Sequence, residues 1–168
     1  DRAPGIRREY SDFGFILLGQ VVEQVAGEPL DAFCKRRIYK PLGLKRTGYR
    51  PEDSLKPSCA ATEQCPWRQR VLKGEVHDEN AFAMGGVSGH AGLFSTVEDL
   101  AIYCEAILAG KVVADKTLDE MLTLGQVAFY PWQGLGWWMD PWTSGANGYL
   151  PVRAAFGHTG WTGTALWM

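Results

Sequence analysis

The sequence predicts an α+β fold, and three observations carry that expectation. Apolar residues recur at helical intervals through the first two thirds of the chain, while aromatic-rich, glycine-punctuated runs fill the part after Gly134. Neither an internal repeat nor a low-complexity tract interrupts this order, so segregated helices and strands around one core are expected rather than a solenoid. At 168 residues, 46% hydrophobic and 21% charged, the chain has the size and composition of a single globular domain.

The first helix is predicted in SDFGFILLGQVVEQVAGEP. Phe13, Leu17, Val21 and Val25 share a near-helical spacing, Ser11 or Asp12 stands ready to cap, and Gly27 then Pro29 stop the run. This helix is expected to be buried. A second helix fits PLDAFCKRRIYKPLGL, with Leu30, Phe33 and Ile38 on one face, Lys35, Arg36 and Arg37 in water, and Pro41 and Gly43 at its end. Residues 49–80 hold Pro51, Pro57 and Pro66 without a clean period and are expected to be irregular. In GGVSGHAGLFSTVEDLAIYCEAILAG, Ser95 and Glu98 form a capping-box pattern that announces a helix through about Leu108, and ADKTLDEMLTL predicts another. LGWWMD, VRAAFGH and GWTGTALWM then read as strands.

Charge and cysteine usage exclude several functions. Seventeen basic and nineteen acidic side chains give a net charge of −2 with no long run of either sign, which argues against nucleic acid as a partner. No stretch is apolar enough for a membrane span; Gln20, Glu23 and Gln24 break the best one. Cys34, Cys59, Cys65 and Cys104 lack Cys-x-x-Cys spacing, so a zinc or redox motif is not expected; Cys59 and Cys65 either bridge or stay free thiols. His77, His90 and His158 lie far apart, outside any metal-binding frame, and neither a metal nor another cofactor is expected. The opening DRAPGIRREY reads as the interior of a longer protein.

Candidate chemistry starts from GGVSGHAG, where Gly86 and Ser88 resemble a nucleophile elbow but His90 fills the slot that wants glycine. These glycines are instead expected to shape a loop, with His90 structural. Gly157, Gly160 and Gly163 are weak grounds for a phosphate loop because a strand follows them. Two further strings gain weight together. Tyr10-Ser11-Asp12 opens a helix, where amide dipoles and cations favour an ionised phenol that can act as a general base. His158-Thr159-Gly160 places donors beside an open backbone on which a substrate can lie as an added strand. Several of the seven Trp residues either line a broad cleft or pack in the core.

With their surroundings, these strings resemble the class C β-lactamase-related branch of the serine β-lactamase and penicillin-binding-protein superfamily, which includes DD-peptidases and esterases. YSDFGFILLGQ and PLGLKRTGY are similar to that branch's Tyr-x-Asn helix and the segment after it; GGVSGHAGLFSTVEDLAIY is similar to its glycine loop and helix. YPWQGLGWWMD and FGHTGWTGTALWM are similar to its GLGW strand and its (Lys/His)-Thr-Gly strand. The resemblance covers nearly the whole chain and implies part of the β-lactamase/transpeptidase-like fold, a helical region plus strands of a central antiparallel sheet. Residues 1–168 are then one partial domain lacking its nucleophile-bearing N-terminal part and its C-terminal end.

The chemistry implied is acyl-enzyme hydrolysis of lactam, peptide of the D-Ala-D-Ala type, or ester bonds. Tyr10 becomes the general acid/base. His158 tunes Tyr10 or holds a substrate carboxylate, Thr159 adds a hydroxyl donor, Gly160 lets the acyl chain lie close, and the Trp161 N–H supplies half of an oxyanion hole. Asp12 stands where the family has Asn, which removes two amide donors and adds a charge at a substrate-binding position. No serine of the chain is followed by Lys three residues on, so the Ser-x-x-Lys nucleophile is expected upstream and residues 1–168 alone are expected to be inactive. The other reading is a catalytically inactive member that binds cell-wall peptide or a protein partner. The resemblance further implies a small-molecule or peptidoglycan-peptide substrate and a bacterial envelope, periplasmic or secreted location; oligomeric state stays open.

Overall fold

The computed structural model describes residues 9–123, 133–139 and 155–168. They belong to two compact units: Ser11–Tyr103, and Cys104–Met168 together with the segment ending at Tyr10.

In the first unit, α1 (Asp12–Ala26) follows extended Ser11 and ends at Gly27, whose φ of 67° gives the left-handed cap that a side chain resists. Ser11 makes no side-chain cap. The expectation of a buried apolar stripe is corrected: Phe13, Leu17, Val21 and Val25 are exposed, and the only buried residue of α1 is Gly19. Its docking face is small rather than apolar. A Cβ on Gly19 would lie 3.1 Å from the Gly89 N, and one on Gly89 only 2.1 Å from the Phe15 carbonyl, so the helix backbone rests directly on the loop of residues 85–92.

The predicted second helix is one run of three pieces, α2 (Leu30–Cys34), a π-helical turn (Lys35–Tyr39) and α3 (Lys40–Leu42), closed by left-handed Gly43. Pro41 cannot donate to the carbonyl four residues back, and the preceding π turn accommodates the missing bond. Leu30, Tyr39 and Leu44 are buried. Strands β1 (Gly48–Tyr49) and β4 (Leu93–Phe94) pair antiparallel on either side of the hairpin segment in sequence.

Residues 49–80 are less irregular than expected, because β2 (Ala61–Cys65) and β3 (Arg70–Lys73) form an antiparallel hairpin. Only Cys65 and Leu72 of its strands are buried, so no hydrophobic alternation advertises it. Arg68, in its turn, is 8% exposed. Its guanidinium lies 4.7 Å from the Trp67 ring centroid and 4.1 Å from that of Phe82, and donates to the carbonyls of Val76 at 2.7 Å and His77 at 3.0 Å. All four cysteines are free thiols.

Short α4 (Glu79–Ala83) is capped by Asp78, whose Oδ1 accepts from the Ala81 N–H at 2.8 Å. Helix α5 (Val97–Leu108) ends where predicted, but its cap is Thr96, which accepts from the Asp99 N–H, rather than Ser95. Ser95 instead faces the Thr47 hydroxyl at 2.8 Å. Buried Asp99 clamps the chain before β1, accepting from the Arg46 N–H at 2.7 Å, the Lys45 N–H at 3.3 Å and the Thr47 hydroxyl at 2.8 Å.

In the second unit, α6 (Asp115–Leu122) ends against a turn at Gly134, where a Cβ would meet the Met121 carbonyl at 2.3 Å. The predicted strands appear as an antiparallel sheet in the order β5-β6-β7: β5 (Trp138–Met139), β6 (Phe156–Thr159) and β7 (Ala165–Trp167). Asp140 of LGWWMD, the start of VRAAFGH, and Trp132 and Trp142 of the aromatic set lie outside the described residues. Among the described residues no helix is long and apolar enough to cross a membrane.

Candidate active site

The middle strand of the three-stranded sheet carries the His-Thr-Gly string. Register pairs Gly157 with Trp138 on one side and with Trp167 on the other; His158 faces Leu166 and Thr159 faces Ala165 across the β7 ladder. Among the described residues, pairing of β6 with β5 stops at Gly157. Gly157 is required by packing, since its Cβ would stand 2.0 Å from the Leu166 carbonyl. Gly160 is equally constrained: a Cβ there would stand 2.3 Å from Thr164 Oγ1, while its N–H donates to the Thr164 carbonyl at 2.7 Å and its carbonyl accepts from the Gly163 N–H. This tight β6–β7 turn presents Trp161 with 92% of its surface exposed. The Trp161 N–H has no acceptor among the described residues.

The tautomer of His158 follows from its partners. Trp138 Nε1, which is only ever a donor, gives its hydrogen to His158 Nε2 at 2.9 Å, so Nε2 carries the lone pair. Nδ1 then carries the proton and donates to the Thr159 carbonyl at 2.7 Å. The two rings meet edge to face, 5.7 Å apart. Trp138 was not singled out in sequence, because its role depends on register in the sheet.

Tyr10 stands two residues before the first residue of α1, with Ser11 between, and is 66% exposed. Asp12 is the first residue of that helix, and its carboxylate joins a group that the sequence did not disclose. Ligating atoms of Asp12, Asp78 and His90 all lie within 4.8 Å of one another. His90 Nε2 is 2.8 Å from Asp78 Oδ1, and His90 Nδ1 is 2.8 Å from Ser88 Oγ. The His90 side chain is 4% exposed. Burial acts to raise the Asp78 carboxyl, but the Ala81 and Asn80 N–H groups and His90 outweigh it, holding Asp78 below its ordinary range. Spacing along the sequence set His90 apart from other ionisable groups; folding brings it beside two carboxylates from separate segments.

Ser88 looks like a triad nucleophile on distances alone. At 3% exposure it has no approach for a substrate, and the elbow reading fails on access rather than on hydrogen bonding. Tyr49 donates to the Ser88 carbonyl at 3.2 Å, and burial pushes its own phenol up to about 12, so it is no base at neutral pH.

Helices joined to small antiparallel sheets, one of them carrying the His-Thr-Gly string on its middle strand, make an α+β architecture. A family model described as Beta-lactamase matches residues 1–168, and the chain belongs to that family. It is 41% identical over 189 aligned residues to an N-acetylmuramyl-L-alanine amidase of Bacillus subtilis, covering 98% of this chain and 42% of that protein. It is 38% identical over 181 aligned residues to a putative D-alanyl-D-alanine carboxypeptidase of Salmonella enteritidis, covering 96% and 42%. The structure superimposes on a β-lactamase of Mycobacterium bovis with a TM-score of 0.65 at 23% identity, covering 99% of this chain and 54% of that one, which shows the fold. The chain thus spans less than half the length of these curated relatives.

Proposed function

We propose that residues 1–168 are part of a serine hydrolase that opens amide, lactam or ester carbonyls through an acyl-enzyme, with a cell-wall peptide as its substrate class. The observation that supports this most is the His158-Thr159 strand running into the Gly160 turn with an uncommitted Trp161 N–H at its end. The names carried by the relatives, a muramyl amidase and a putative D-alanyl-D-alanine carboxypeptidase, point to peptide bonds of the bacterial envelope, which is also the location proposed here.

In this reading a serine outside residues 1–168, from a Ser-x-x-Lys motif, adds to the carbonyl. Tyr10 relays the hydroxyl proton to the leaving group as the general acid/base, leaving an ester on the serine that water then cleaves. The Trp161 N–H and the nucleophile's own N–H receive the oxyanion, each worth about 3 kcal/mol by comparison with other acyl-transfer sites. His158 has both ring nitrogens engaged by Trp138 and Thr159, which favours an orienting role over that of a carboxylate holder. Recognition of a substrate carboxylate then falls to the Thr159 hydroxyl. A non-catalytic binder of the same peptides is the second reading, favoured by Asp12 in the place of the family's Asn.

Incubating the full-length protein with a labelled β-lactam and a D-Ala-D-Ala peptide, followed by intact-mass detection of the acyl adduct, separates the two. Tyr10→Phe is expected to slow acylation by about 10²–10⁴-fold without changing the fold. Unaltered acylation in that variant removes Tyr10 from the chemistry, and binding without any adduct or turnover in the unaltered protein selects the second reading.

A further inference from the structure

We propose that Asp12, Asp78 and His90 form a binding site for a divalent cation of the zinc class. The site does not depend on the acyl-transfer reading, because its three side chains and their supports are all in the unit Ser11–Tyr103.

The donor set is one imidazole and two carboxylates, a combination that suits zinc and related transition ions. With metal–ligand distances of about 2.0–2.2 Å, ligands around a tetrahedral ion stand about 3.3 Å apart. The three ligating atoms already lie within 4.8 Å of one another, so gathering them onto an ion takes side-chain movements on the order of 1 Å. Three protein ligands leave a fourth position open.

What distinguishes this group from an ordinary patch of acids is how its histidine is held. Its side chain is buried, and Ser88 Oγ stands 2.8 Å behind Nδ1 while Nε2 is directed at Asp78. That is the outer-shell arrangement of a metal-bound histidine, in which the remote ring nitrogen is fixed by a hydrogen-bonding partner. Without an ion, Nε2–H donates to Asp78 and the Ser88 hydroxyl donates to Nδ1. On loading, the ring proton resides on Nδ1, Ser88 turns to accept it, and the Nε2 lone pair goes to the ion. Buried Ser88, which has no path to a substrate, acquires a function in this scheme.

The backbone around the group is equally constrained. Asp78 is fixed as the cap of α4 by the Ala81 N–H, and Arg68 binds the carbonyls of the two residues before it. Asp12 and His90 are brought together where α1 rests on Gly89 without any intervening side chain. Two carboxylates around one imidazole also leave excess negative charge that a dication neutralises.

The experiment uses purified full-length protein, stripped with chelator, then titrated with Zn²⁺ and measured by equilibrium dialysis with metal analysis. Co²⁺ absorption serves as a second readout. One ion per chain is expected, with a cobalt spectrum of N/O ligation and no thiolate charge-transfer band. Asp12→Asn is expected to weaken the site at least about tenfold, and Ser88→Ala roughly 10–100-fold through the histidine. His77→Gln, which changes a ring whose Nε2 faces Glu63 at 3.8 Å and leaves the backbone carbonyl bound by Arg68 in place, is expected to leave binding unchanged. Circular dichroism confirms that each variant is folded, and His90→Gln replaces Asp12→Asn if that variant is not. The proposal is overturned if the protein takes up no zinc at 100-fold excess over chain, if Asp12→Asn and His90→Gln bind as the unaltered protein does, or if alkylation of the cysteines abolishes uptake.

Discussion

Replacing Gly89 with Ala tests how the first helix and the glycine loop are joined. The new methyl would sit 2.1 Å from the Phe15 carbonyl oxygen and close to the Gly19 N, both backbone atoms of α1 that cannot rotate away. Relief requires helix and loop to part by about 1.3 Å, from 2.1 Å to the 3.4 Å at which ordinary contact begins. Overpacking of this kind costs about 1–3 kcal/mol, and a rigid helix backbone as the obstacle places the expectation near 3, or about 150-fold in the folding equilibrium. For a chain of this size that lowers Tm by roughly 6–12 °C. Gly14→Ala is the control: it lies in the same helix with nothing within 4 Å of its Cβ, and relief from glycine's entropy should raise stability by about 0.5–1 kcal/mol. Thermal and urea denaturation followed by circular dichroism measure both. A Gly89→Ala protein melting within 2 °C of the parent would show that α1 does not rest on the loop as described.

Asp99 is pulled up by burial but held below its ordinary 3.8 by the Thr47 hydroxyl and the Arg46 and Lys45 N–H groups, so its stabilisation is complete above that value and lost as pH falls through the folded one. Asp99→Ala should destabilise by about 2–5 kcal/mol at neutral pH and remove this part of the acid-side slope, which urea titrations between pH 2.5 and 7 would report. Trp138→Phe keeps the ring packing but deletes the donor to His158; a loss of about 1 kcal/mol is expected, and ¹⁵N NMR should find a smaller Nδ1-protonated fraction. An unchanged tautomer would show that Trp138 does not set it.

Helices α5 and α6 and the three final strands were legible because their signals are local: capping residues, a 3.6-residue period, and aromatic runs cut by glycine. The β2–β3 hairpin was not, since Ala61–Gln64 is polar and its turn at residues 66–69 contains neither Gly nor Asn. Helix α1 was legible as a helix but not in its packing, because apolar residues surround it and only Gly19 marks the face that docks. The same division runs through the site. Tyr10, Asp12 and the 158–161 string are compact motifs. The approach of Asp78 and His90 to Asp12 depends on where three distant segments fold, and the Trp138–His158 pair depends on a strand register that no spacing records.

Arg68 makes the exposed hairpin a strut. One fork of nitrogens reaches from the hairpin turn to two consecutive carbonyls just ahead of Asp78, while two aromatic rings wall in its flat cation. Lysine at this position would bring charge but no fork, leaving a carbonyl without its donor and residue 78 less firmly aimed. A surface loop with scant hydrophobic content thus governs the bearing of a carboxylate it never touches, and sequence variation tolerated elsewhere on the hairpin should stop abruptly at this one guanidinium.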